Sequence, residues 1–258
     1  MKPSPKTKTD SNTMKDYQPQ PDLLKDRIIL VTGAAGAIGS AAAKAFAAHG
    51  ATVALLDNRQ VKMEKVYDAI IEAGQPQPAI CPLDLEKASP EHYVKIADML
   101  HDEFGRLDGI LHAAGLLGTL TPLDHYDLSL WSRVMHVNLN AAYLMTRACL
   151  DLLRQSDDAS IIFNSTREGR KGKAYWGAYG ISHAAIENMM EIFADELEAC
   201  TNIRANSIDP GSVRGRMRAL SFPGEDPNAV PKADTIMADY LYLMGPDSKG
   251  VTGQRFSV

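Results

Sequence analysis

Three glycines spaced three residues apart, Gly33, Gly36 and Gly39, stand between the apolar run Ile28-Ile29-Leu30-Val31 and an alanine-rich stretch that begins at Ala37. A strand that ends in such a loop and continues as a helix can hold a diphosphate. It offers backbone N–H groups and the positive end of a helix dipole, and the missing side chains let the backbone come close. Further on, Asp57 closes a second apolar run, Thr52-Val53-Ala54-Leu55-Leu56, where a carboxylate suits the paired hydroxyls of an adenosine ribose. A tight turn is the plainer use of such glycines. Strand, loop, helix and carboxylate together point to a dinucleotide, with Gly33, Ala35, Gly36, Ala37, Ile38 and Gly39 around its phosphates. A carboxylate repels a 2′-phosphate, so Asp57 favours NAD, while Arg59 nearby keeps NADP open.

The elements that must position these residues follow from the apolar pattern. Strands are predicted at Ile28–Thr32, Thr52–Leu56, Ala79–Leu83, Gly109–Ala113, Ser160–Asn164 and Ile203–Ile208, with a short seventh near Gln254–Val258. Helices are predicted at Ala37–Ala48, Gln60–Ala73, Pro90–Phe104, Leu130–Gln155 and Tyr175–Cys200, the third opened by Ser89 as N-cap and Pro90 in the first turn. Strands alternating with helices of this length form β-α-β units: one α/β domain, doubly wound, with a parallel sheet of about seven strands covered by helices on both faces. Residues 212–232, rich in Pro and Gly, follow the sixth strand and are predicted to form a lid over its carboxyl end.

The chain has 258 residues, 45% of them hydrophobic and 23% charged, with a net charge of −5. That suits a single large core and gives no basic face for nucleic acid. Cys81, Cys149 and Cys200 are widely spaced and form no Cys-x-x-Cys, which points to buried thiols in a reducing cytoplasm rather than to disulfides or zinc. His112, His125 and His136 lack metal-ligand spacing, so no metal is expected. No apolar run is long enough to span a membrane. Residues 1–22, rich in Pro, Lys, Ser and Thr, read as a disordered extension ahead of a domain at 23–258, and Met14 offers a second start.

Taken in order, these features resemble the short-chain dehydrogenase/reductase family across residues 23–258. The motifs are the glycine loop Thr32–Gly39, Asp57, Asp84-Leu85, His112-Ala113-Ala114-Gly115, Asn138 within Val137-Asn138-Leu139, Ser165-Thr166, Tyr179-Gly180-Ile181-Ser182-His183 and Asp209-Pro210-Gly211. The segments Ala114-Gly115-Leu116-Leu117-Gly118, Trp176-Gly177-Ala178-Tyr179 and Phe222-Pro223-Gly224-Glu225-Asp226-Pro227 resemble the YciK-like oxidoreductases of that family more closely still.

The resemblance implies a Rossmann domain that interconverts an alcohol and a carbonyl by hydride transfer. Tyr179 would be the acid/base, Thr166 (with Ser165 beside it) would orient the substrate oxygen, and Asn138 and His183 would form a proton relay. Asp84, Leu85, Ala113, Ala114, Gly115, Pro210, Gly211 and Val213 would line the cofactor. It also implies a homodimer or homotetramer joined through the two long helices, at apolar positions such as Leu144, Ala148, Leu152, Ile186 and Met190. Several positions depart from the family. His183 stands where a Lys is usual, Thr166 for Ser, Ala113 for Asn, and Val213 and Gly215 where threonines meet the nicotinamide. A histidine is mostly neutral at pH 7 and lowers a phenol's pKa less than a lysine does. A catalytically impaired NAD(H)-binding scaffold or sensor therefore stands as the alternative to an enzyme. Two basic clusters, Arg167, Arg170, Lys171 and Lys173, then Arg214, Arg216 and Arg218, border the expected substrate mouth and point to an anionic substrate, or else are charges paired with Glu168 and Glu225.

Overall fold

Residues 17–258 are described by the structure, a computed structural model. Seven strands form one sheet: β1 (Ile28–Thr32), β2 (Thr52–Asp57), β3 (Ala79–Pro82), β4 (Gly109–His112), β5 (Ala159–Asn164), β6 (Ile203–Asp209) and β7 (Arg255–Ser257). Their order is β3-β2-β1-β4-β5-β6-β7 and every pairing is parallel. The chain reverses its direction of travel between β1 and β4, where Thr32 registers with His112. A ligand crevice opens at such a switch point.

Successive strand residues serve opposite faces. Ile29 and Val31 join one apolar cluster with Phe46, Met63 and Tyr240, whereas Leu30 joins the other with Tyr93, Leu100 and Phe163. The first face is covered by α1 (Ala37–Ala48), α2 (Gln60–Glu72) and a C-terminal helix, Met237–Met244. The second is covered by α3 (Pro90–Phe104), α5 (Ala141–Arg154) and α7 (Gly177–Glu198). This is the doubly wound Rossmann architecture.

The helix expected over Leu130–Gln155 runs from Leu128 to Arg154, with a π-helical turn at His136–Asn140 that divides it into α4 (Leu128–Met135) and α5. The widened turn carries Asn138, whose side chain is bound to the loop after β4. The helix expected from Tyr175 starts two residues later because Tyr175 itself has φ of 74°. Three short helices escaped the periodicity: α6 (Arg167–Arg170), α8 (Arg216–Ser221) and α9 (Met237–Met244). The segment predicted as a lid contains α8, and its base is pinned where Arg214 N donates to the Pro231 carbonyl at 2.8 Å.

Within the extension expected through Asp22, Tyr17 makes contacts with the body of the protein. Tyr17 donates to Asp247 Oδ2 at 2.7 Å and its ring packs edge-on to Tyr242; residues 1–16 of that extension lie outside the described residues. Leu152, Ile186 and Met190 are buried against the sheet, so they are not available to join copies. The exposed apolar side chains on α5 and α7 are Tyr143, Ile181 and Ile192. Cys81 and Cys149 are buried free thiols, but Cys200, expected to be buried, is exposed. Among the described residues, no helix is long and apolar enough to cross a membrane.

Candidate active site

The glycine loop is tight because nothing larger fits. Gly33 adopts φ of 68°, and a Cβ there would stand 2.7 Å from Ala114 Cα; a Cβ on Gly39 would stand 2.2 Å from the Gly33 carbonyl oxygen. The loop therefore packs directly on the backbone after β4. No side chain caps α1 and its first turn holds no acidic residue, which leaves N–H groups and the positive helix end for an anion. A glycine cradle of this kind fits a dinucleotide diphosphate. A trench of about 660 Å³ runs from it along the strand ends to Tyr179 and His183.

At the far end from Tyr179, Asp57 is buried and fully engaged. Its Oδ1 accepts the Arg59 N–H at 3.0 Å and Arg59 Nε at 2.9 Å, and its Oδ2 accepts Arg59 Nη2 at 2.9 Å and the Ala35 N–H at 3.1 Å. Burial pushes the Asp57 carboxyl up, but the Arg59 hydrogen bonds outweigh it and hold the group below the usual carboxylate range. Four hydrogen bonds use up a carboxylate's ordinary accepting capacity. Asp57 therefore offers no free lone pair to a ribose, and the guanidinium of Arg59 lies on the trench with Lys62 close by.

At the other end, α6 docks on α7 through two glycines. A Cβ on Gly169 would stand 2.7 Å from His183 Cβ, and one on Gly180 would stand 3.1 Å from the Glu168 carbonyl. That close approach buries Glu168, whose Oε2 accepts the Thr166 hydroxyl at 2.5 Å. Tyr179 packs against Trp176 on one side and His183 on the other. Burial, then the charges of Glu168 and Asp209, push its phenol above the ordinary value of about 10. Burial takes His183 down to about 4, only partly opposed by the Asn164 backbone, Glu187 and Glu168. Neither His183 nitrogen has a hydrogen bond of sound geometry. The site therefore sets a protonated phenol against a neutral imidazole. Beneath them, Glu187 binds Arg170 Nε at 2.9 Å and Ser207 Oγ at 2.6 Å. Burial pushes the Glu187 carboxyl up, but Ser165, Ser207 and Arg170 outweigh it and keep it low.

The trench brings together most of the residues named from the sequence: Gly33, Ala35, Gly36, Ala37, Ile38, Gly39, Asp57, Asp84, Leu85, Ala113, Ala114, Gly115, Tyr179, His183, Pro210 and Val213. Three fall elsewhere. Gly211 does not line it; its φ of 65° turns the chain while its N–H donates to Asp209 Oδ1. Thr166 is turned toward Glu168. Asn138 bonds Leu116 N, Leu116 O and Ser182 Oγ, which anchors the β4 loop to α7 without reaching His183. Ser165 lines the trench, but its Oγ is buried near Glu187. The two basic clusters also disperse. Arg170 pairs with Glu187, Arg218 with Glu225, and Arg214 donates to the Val230 carbonyl, leaving Arg216 and Arg218 as the members that line the trench. Sequence reasoning missed Glu168 as a buried member and Lys62 as a lining one; Lys62 stands in the first turn of α2, just after the loop that follows Asp57, a signal that was available.

The chain's similarities to known proteins agree with this geometry. Residues 27–226 match the profile of the short chain dehydrogenase family. The chain is 45% identical over 240 residues to the uncharacterized oxidoreductase YciK of Escherichia coli K12, covering 93% of this chain and 94% of that protein. A short chain dehydrogenase structure from Pseudomonas syringae superposes with a TM-score of 0.92 at 52% identity, covering 94% of this chain and 98% of that one. One from Escherichia coli CFT073, complexed with NADPH, superposes with a TM-score of 0.90 at 45% identity, covering 93% and 99%. The chain belongs to the short-chain dehydrogenase/reductase family of oxidoreductases.

Proposed function

We propose that the protein is an NADP(H)-dependent oxidoreductase that interconverts an alcohol and a carbonyl, with Tyr179 as its proton donor. The observation that carries this reading is the continuous trench from the glycine cradle to the Tyr179 phenol. The preference for NAD expected from Asp57 is not kept. Arg59 already neutralises that carboxylate, and the Escherichia coli CFT073 relative was complexed with NADPH. Arg59 and Lys62 are the cations on this stretch of the trench for a 2′-phosphate.

The hydride would be supplied or received by a nicotinamide held in the trench. The protein's own part is proton transfer and orientation. A phenol raised above its ordinary pKa is protonated throughout the neutral range, so Tyr179 is ready to donate to a carbonyl oxygen and unready to accept from an alcohol. Carbonyl reduction is thus the faster direction near pH 7. Among the described residues no cation stands beside the phenol, so both directions are slow compared with a site that has one.

The second reading is a scaffold that keeps the dinucleotide and does little chemistry, and the neutral, sealed His183 favours it. Titration with NADPH and NADH, followed by a panel of carbonyls, separates the two. Tight NADPH with measurable consumption supports the enzyme. Tight NADPH with no turnover by wild type or by His183→Lys supports the scaffold. Two further expectations belong to this reading: copies pair through α5 and α7 at Tyr143, Ile181 and Ile192, which sedimentation at low concentration tests, and the chain works in the cytoplasm.

A further inference from the structure

We infer that Arg216 is a diphosphate-binding residue carried on the lid, an assignment that rests on the dinucleotide reading of the trench. The lid meets the trench walls at two places. A Cβ on Gly215 would stand 3.0 Å from Ala37 Cβ, at the first residue of α1, and a Cβ on Gly115 would stand 3.7 Å from Met217 Cε. Arg216 sits between these contacts and lines the trench with Gly36 and Ala37.

Its neighbours are committed elsewhere. Arg218 makes two hydrogen bonds to Glu225 and stacks on Phe222 at 3.8 Å, and Arg214 donates to the Val230 carbonyl. Arg216 is exposed and has no carboxylate partner among the described residues. The adjacent helix start has no acidic residue to take its charge. Positions 213 and 215, where hydroxyls were expected, carry a buried valine and a glycine, so the lid's polar group toward the cofactor comes from position 216. A guanidinium fork matches phosphate oxygens two at a time, where a hydroxyl offers one contact. With Arg216 holding the diphosphate, bound cofactor ties the lid to the glycine cradle.

The test uses the full chain and three ligands. NADPH and ADP carry a diphosphate; 2′-AMP fills the adenosine end without one. Arg216→Gln is expected to weaken NADPH and ADP about 10- to 100-fold, the worth of one or two charge-assisted hydrogen bonds, and to leave 2′-AMP within about threefold. Arg216→Lys should fall between, and NADPH should protect the lid from proteolysis less in the Gln variant than in wild type. NADPH affinity unchanged in Arg216→Gln overturns the assignment. Equal weakening of all three ligands also overturns it, because the arginine would then be supporting the lid's fold. Wild type binding none of the three overturns the dinucleotide reading itself, a result distinguishable from both.

Discussion

His183 stands edge-on to the Tyr179 phenol, with 4.5 Å between ring centroids, and both of its ring nitrogens are buried without a sound hydrogen bond. Spacing of four on α7 brings the two side chains together. What they exchange there is packing. Burial disfavours the phenolate most, Glu168 and Asp209 add negative potential, and a neutral imidazole supplies no positive potential against them, so the phenol is driven away from ionisation. His183→Lys reverses one of these terms. Each unit by which the new ammonium lowers the phenol's pKa yields about tenfold more phenolate at a fixed pH. Alcohol oxidation at pH 7.5 is therefore expected to rise about 10- to 100-fold, with reduction changing less. Wild-type oxidation should climb with pH through 10 without a plateau, and the variant's should level off lower. Coincident profiles would remove Tyr179 from the chemistry.

The same imidazole makes the protein acid-sensitive. An exposed histidine titrates near about 6.5, whereas burial takes His183 down to about 4 and His112 down to about 3. The unfolded chain therefore binds more protons than the folded one below about pH 6.5, and stability falls as pH falls through that window. For His183 the loss is on the order of 3 kcal/mol by pH 4, with Glu187 and Glu168 already counted as opposing it. Thermal melts between pH 7 and 4.5 should show a steady drop in Tm. His183→Met, which keeps the bulk and removes the titration, should flatten that slope by about half and leave the His112 share. An unchanged slope would mean that His183 gains a proton partner when acidified.

The cradle was legible because it is local. Gly33, Gly36 and Gly39 follow an apolar run by fixed spacing, and no distant residue is needed to see what they do. Tyr179 and His183 were legible for a similar reason, since one helix sets both. Thr166 shows where such reading stops. Its distance from Tyr179 along the chain gave its place, but its rotamer depends on Glu168, and nothing in the sequence says that Gly169 and Gly180 let α6 sink far enough to bury that carboxylate. Arg59 is two residues from Asp57 and plainly visible, yet its closing of both carboxylate oxygens is a property of the loop's shape. Helix α9 was missed because eight residues carry barely two turns of periodicity, and Met237, Tyr240, Leu241, Leu243 and Met244 are buried around most of its circumference.

The engagement of Thr166 by Glu168 leads to a test of the hydroxyl that the family resemblance assigned to substrate. Thr166→Val keeps the shape and removes the donor. Its main effect is expected on stability, a loss of about 1–3 kcal/mol, because Glu168 keeps its buried carboxylate and loses its partner. The rate of carbonyl reduction at saturating substrate should change by less than about threefold. A fall of about 100-fold or more, the scale on which a direct transition-state hydrogen bond acts, would show that the hydroxyl swings to the substrate in the working complex. Chemical denaturation and steady-state kinetics on the same preparation distinguish these results.

Under the proposed NADP(H) reading, cofactor choice turns on Arg59. In wild type its guanidinium and backbone N–H take three of the four hydrogen bonds on Asp57, so the carboxylate neither repels a 2′-phosphate at full strength nor binds a ribose hydroxyl. NADPH should bind more tightly than NADH. Arg59→Ala removes a cation from the trench and frees one accepting position on each carboxylate oxygen, while the backbone N–H groups of residues 59 and 35 keep theirs. NADPH affinity should fall about 10- to 100-fold, while NADH affinity should hold or improve as the ribose hydroxyls gain an acceptor. The ratio of the two dissociation constants is therefore expected to invert, a result that neither charge loss alone nor general unfolding would give. Equal weakening of both cofactors would mean that Arg59 acts by shaping the loop around Asp57. A wild-type preference for NADH of tenfold or more would restore Asp57 as the ribose ligand and require Arg59 to move aside on binding.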